Sequence, residues 1–119
     1  MEDYIIREID RIGEMLVQVA KRLGLFQDGG AAPDYTMADV KAEFEKSKLE
    51  LDIDAVLAQN YPVLYLVEHE NLSVRSLEMF VDIVFHSDAD ESRKTALLND
   101  ALNYLDSKGY FSFRLHSLV

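Results

Sequence analysis

The sequence predicts an all-α fold, a compact multi-helix array formed by one domain. Apolar residues recur every three or four positions through most of the chain, which is the spacing of one helix face. Most glycines and prolines fall between these periodic segments, where they end helices. The length of 119 residues is that of one ordinary domain, and a chain of this size buries enough surface to fold without cross-links.

The N-terminal segment, residues 1–24, is predicted to be one long amphipathic helix. Its apolar side chains follow the alternating four-and-three spacing of a coiled-coil seam, and Gly24 stands where a C′ glycine ends a helix. The seam is predicted to be a self-association face that forms a homodimer, and the alternative is that it packs on the protein's own core. This self-association face consists of Ile5, Ile9, Ile12, Leu16, Val19 and Leu23.

Residues 25–35 are predicted to form a loop, because Gly29, Gly30 and Pro33 interrupt helices. Residues 36–119 are predicted to be the helical core. The domain organisation is therefore a single helical domain over residues 1–119, with an N-terminal helix, a loop and a core.

Three helices are predicted in the first half of the core. Thr36 opens a capping box and begins a helix that runs to about Leu49. Asp52 and Asp54 are both expected to cap a short second helix. Pro62 begins a third helix, which runs to about Glu70. Because this helix is apolar on most sides, it is expected to be central and buried. A short strand is the competing interpretation of this apolar run.

Two further helices and a tail complete the predicted core. Ser73 is the expected N-cap of one helix, and Asp88 or Asp90 that of another, which ends before Gly109. The tail, residues 110–119, alternates as a strand does but also fits one helical face. Because a lone strand would leave its backbone groups unpaired, a short helix is favoured.

The sequence contains no motif for catalysis, for a cofactor or for a metal. Without cysteine, neither a disulfide nor a thiolate metal site forms. The histidines, His69, His86 and His116, lack the i,i+4 spacing of a helical zinc site, and the acids after His86 do not match a calcium loop. No serine lies in a Gly-x-Ser-x-Gly turn. We therefore predict no catalytic, cofactor-binding or metal-ligating residue, and no enzyme activity.

The net charge of −10 restricts the partners. Lysine and arginine form no basic stripe of the kind that nucleic acid or an anionic membrane requires. No apolar run approaches the ~20 residues that cross a bilayer, and the acidic start is unlike a secretory signal. The sequence thus predicts a cytoplasmic protein that binds neither nucleic acid nor membrane. The acidity is interpreted as solubility, with a basic partner as the alternative.

Two stretches of the chain resemble a bacterial all-helical family of unknown function. They are Asp3-Tyr4-Ile5 through Leu23, and roughly residues 74–118. Members of this family open with a helix of the Asp-Tyr-Ile kind and end with a repeat-like helix pair. The C-terminal helical hairpin here is also similar to one tetratricopeptide unit, although the Trp and Leu-Gly landmarks and a tandem copy are missing. The resemblance implies an α-helical interaction module and carries over no functional residue.

The predicted function is a non-enzymatic protein-interaction or assembly module, with Tyr4 and Tyr110 as candidates for exposed contacts. The protein partner is unknown from the sequence. The alternative is a small-ligand-binding protein or minor enzyme, which would need a pocket between helices lined by His86, Tyr104 or nearby acids.

Overall fold

The structure, a computed structural model, describes residues 11–25 and 34–119. Within these ranges the chain forms seven helices and no strand, which confirms the predicted all-helical class. The helices are α1 (Arg11–Arg22), α2 (Met37–Lys46), α3 (Ile53–Leu57), α4 (Pro62–His69), α5 (Val74–Phe85), α6 (Glu91–Ser107) and α7 (Phe113–His116). The tail is therefore a short helix, as favoured from the sequence, and the strand interpretation of the apolar run near Pro62 is wrong.

Polar side chains begin most of these helices by accepting a backbone N–H of the first turn, which satisfies one of the donors that a helix start leaves unpaired. The predicted capping box before α2 is present in full. The two other aspartates predicted as caps have different partners. Asp54 pairs with Lys41 at 2.7 Å, and Asp88 accepts the backbone N–H of Met37 at 2.7 Å. The capping side chains are those of Thr36, Asp52, Ser73, Asp90 and Ser112.

Two helices, α1 and α6, end at the left-handed glycine caps that the sequence predicts. The φ angles of Gly24 and Gly109 are 84° and 72°. The predicted end of α2 near Leu49 is wrong by one turn. Lys48 takes the left-handed conformation with a φ of 57°, and the Leu49 N–H bonds back to the carbonyl of Phe44 at 2.9 Å. This reversal ends α2 and buries Leu49 in the core.

The central helix is α5, which packs against α1, α2, α4, α6 and α7. Its core-facing side chains are fully buried, with Phe80 the largest of them. Against α5, α1 contributes Leu16 and α7 contributes Leu115 to the core, each 0% exposed. The prediction that α4 is the central, buried helix is wrong, because α4 buries only one face. Pro62, Val63 and Leu66 of α4 are buried, whereas Leu64 is 48% exposed.

Candidate functional site

The outward face of α4 is the most apolar exposed surface carried by a helix of regular length in the described structure. We call it the α4 stripe. Its residues recur at the i, i+3, i+4, i+7 and i+8 positions, so they lie on one side of the helix. Pro62 fixes the start of α4, since its ring favours the first helical position. The α4 stripe consists of Tyr61, Leu64, Tyr65, Glu68 and His69.

Solvent reaches the α4 stripe along its length. Tyr61 is 69% exposed and Leu64 is 48% exposed. The rings of Tyr65 and His69 stack with their centroids 4.8 Å apart. With Gln59 and Asn60, the stripe lines a shallow depression. Two tyrosines and a leucine in one exposed row form a surface that can bury apolar area against another molecule.

The opposite face of α4 holds the α4 stripe in place. Val63 and Leu66 are 2% and 0% exposed, so they anchor the helix to the core. Tyr61 makes no side-chain cap at the start of α4. Instead, the carboxylate of Asp100 on α6 accepts the backbone N–H of Val63 at 3.1 Å. The helix start is thus capped from a neighbouring helix, and the α4 stripe is presented on a fixed backbone.

A buried carboxylate on α5 forms the main charged cluster of the interior. Asp82 is 1% exposed. One of its oxygens lies 3.1 Å from Nδ1 of His86, and the other accepts from the Arg114 guanidinium at 2.7 Å. His86 Nδ1 also lies 2.9 Å from the Asp82 carbonyl oxygen. Since both neighbours of Nδ1 are acceptors, this nitrogen carries the proton, whether the ring is neutral or charged.

The pKa of His86 is raised above its ordinary value of 6.5 chiefly by the hydrogen bond to the Asp82 carboxylate, against the opposing effect of burial. A histidine oriented by an aspartate in this way resembles the base of a hydrolytic triad. The neighbouring hydroxyl is committed elsewhere, because Ser87 donates to the carbonyl of Val84 at 2.6 Å. Asp82 therefore serves to join α5 to the segment that carries Arg114.

A second carboxylate of α5 holds the same C-terminal segment. Glu78 lies one turn before Asp82 and accepts hydrogen bonds from the hydroxyls of Tyr110, at 3.3 Å, and Ser112. Burial, with the nearby Glu78 carboxylate, raises the pKa of Tyr110. Tyr110 is half-buried, and its predicted role as an exposed contact stays a prediction. With Leu115 fully buried, these contacts fasten the tail to the central helix.

The tail also carries exposed aromatic side chains. Phe111 and Phe113 are 57% and 82% exposed, with ring centroids 4.8 Å apart. His116 stacks on Phe111 at 4.4 Å. These rings contact one another, and only Phe113 and His116 belong to the four-residue helix α7. They form a second exposed apolar patch, carried by the C-terminal tail.

The predicted self-association face is described only in part. Ile5 and Ile9 lie outside the described residues, as does Tyr4. Leu16 and Val19 are each 0% exposed within the single chain, and Ile12 and Leu23 are half-buried against the same core. The four described residues of the face therefore pack on α5 and its neighbours. The homodimer stays a prediction.

The residues named for a ligand pocket have separate surroundings. His86 belongs to the Asp82 cluster. Tyr104 is half-buried on α6, with the ammonium of Lys108 5.6 Å from its ring centroid. Across residues 11–25 and 34–119, no group of three or more histidine, cysteine, aspartate and glutamate side chains is placed to hold a metal ion.

Among the helices of the described ranges, none has both the length and the apolar character needed to span a bilayer. The chain matches no family model, no curated protein and no solved structure.

Proposed function

We propose that the protein is a cytoplasmic, non-enzymatic interaction module that binds a protein partner through the α4 stripe. The observation that carries the proposal is the exposure of Tyr61 and Leu64 on a helix whose other face is fully packed. Tyrosine and other aromatics are enriched where protein interfaces bury their centres. In this proposal the tetratricopeptide-like pair, α5 and α6, is the scaffold on which α4 rests.

The fixed position of α4 supports this function. A surface that is ordered before binding loses little conformational freedom when a partner arrives. The buried residues Val63 and Leu66 and the cap from Asp100 supply that order. Burial of the exposed part of Leu64 and the two tyrosine rings then contributes favourably to association.

Site-specific photo-crosslinking in the producing cell tests the proposal. A benzophenone amino acid replaces Leu64 in one variant, the exposed Ala96 of α6 in a matched control, and Phe113 in a third. We expect a discrete protein adduct from position 64 alone. Adducts of equal yield from position 96, or none from position 64, would contradict the proposal. An adduct only from position 113 would move the interface to the tail.

A further inference from the structure

We infer that the occupant of the α4 stripe is a basic, amphipathic helix of a partner protein. This inference rests on the proposed function and adds the chemistry of the partner. It depends on three features of the described surface: the charge around the stripe, the shape of the row of side chains and the hydrogen bonding of the α4 backbone.

The segment that carries the α4 stripe is acidic. Residues 49–74 contain five acids and no lysine or arginine. Glu68 is exposed within the stripe itself and lines the same depression as Tyr61 and Leu64. An apolar row bordered by carboxylates attracts a partner that presents apolar side chains flanked by cations.

The neighbouring cations are engaged elsewhere. Lys41 is paired with Asp54 at 2.7 Å. The Arg93 guanidinium donates to the carbonyl of Leu57 at 2.8 Å and lines a separate depression with Met37. Neither cation lines the depression that contains Glu68, so the carboxylate there is open to a cation from the partner.

The shape of the α4 stripe favours a helix as the partner segment. Tyr61, Leu64 and Glu68 follow the three-and-four spacing that forms a ridge on a helix, and such a ridge fits the groove between ridges of another helix. The α4 backbone bonds within its own helix, so α4 offers no strand edge to which an extended peptide could add. The complementary occupant therefore has an apolar row on one face and lysine or arginine beside it.

Two synthetic peptides test this inference with the full chain. Both are amphipathic helices with the same leucine face, and their polar faces carry lysine in one and glutamate in the other. We expect only the lysine peptide to bind, with NMR shift changes centred on Leu64 and Glu68. Equal binding of the glutamate peptide would overturn the inference.

Charge-reversal variants with the same net charge supply the matched control. Glu68→Lys is expected to weaken binding of the lysine peptide roughly tenfold, because attraction at the contact becomes repulsion. Asp106→Lys, at an exposed acid of α6 that lines a separate depression, is expected to weaken it less than about twofold, since the peptide makes no contact there and salt screens a charge that it does not contact. Equal losses in the two variants would show non-specific attraction and overturn the inference.

The crosslinked adduct separates this inference from the proposed function. Mass spectrometry of the adduct from position 64 identifies the partner segment. A segment rich in lysine or arginine with helical apolar spacing supports both conclusions. A neutral, acidic or extended segment, or a second copy of this chain, overturns the inference while the interaction module stands. The absence of any adduct contradicts the module itself.

Discussion

Asp82→Asn should destabilise the protein by about 2 kcal/mol, although the substitution hardly changes the size of the side chain. Asparagine presents an NH₂ group where the aspartate had an accepting oxygen, so either Arg114 or His86 then faces a donor. Breaking a deeply buried charge pair costs ~3–5 kcal/mol. Here the Arg114 and His86 side chains are 41% and 27% exposed and can turn towards water, which reduces the cost to roughly 2 kcal/mol.

Urea unfolding followed by far-ultraviolet circular dichroism measures this loss. Asp106→Asn, at an exposed acid on α6, is the control and should change the free energy of unfolding by less than about 0.5 kcal/mol. A double-mutant cycle with Arg114→Gln then isolates the pair, and we expect a coupling free energy of roughly 1 kcal/mol. If Asp82→Asn is as stable as the wild type, the carboxylate does not fasten the tail and the reasoning fails.

Two further predictions concern pH and assembly. The pKa of His86 is raised in the folded state, so its protonation stabilises the fold fully below pH 6.5, and this stability is lost as the pH rises through the raised pKa. The free energy of unfolding should therefore fall as the pH rises above 6.5 in the wild type and fall less in His86→Gln, and parallel profiles would refute this. Ile12→Asp places a charge in a half-buried position against the core, so it should lower stability by roughly 1–3 kcal/mol. Light scattering tests the alternative that this face forms a homodimer. A folded monomer of Ile12→Asp from a dimeric wild type would support the predicted self-association face.

Local signals predicted the elements of this fold well. The capping box at Thr36 and the left-handed cap at Gly109 are both determined by side chains or backbone within a few residues. The end of α2 escaped prediction because Lys48 takes a left-handed conformation that glycine would have signalled. In that case burial of Leu49 outweighs the local preference of lysine.

Interactions between distant residues could not be predicted in the same way. Arg114 and Asp82 are 32 residues apart in the sequence, and the cap that Asp100 gives to α4 spans 37 residues. One signal was available, because Glu78, Asp82 and His86 recur at four-residue intervals along α5 and its C-cap. Polar groups on a buried face need partners, so this spacing indicates a segment that packs over α5, but it does not identify the segment.

The prediction that α4 is buried on most sides is wrong for a different reason, and this reason bears on function. Its sequence is apolar on most sides, which is typical of a buried helix, yet the fold leaves one of those sides uncovered. Local sequence and tertiary position usually agree in a protein, and a disagreement is expected where function rather than folding selects the residue.

Substitution of Leu64 shows whether this apolar residue serves the fold or the binding of a partner. Because it is 48% exposed, much of its apolar surface contributes nothing to stability, and Leu64→Ser should lower the free energy of unfolding by only about 0.5–1 kcal/mol. The same change should weaken binding of the lysine peptide roughly tenfold, because the partner covers that surface. A large loss of stability with unchanged binding would mean that the residue serves the fold. The opposite pattern would mean that α4 keeps an apolar outer face for a partner.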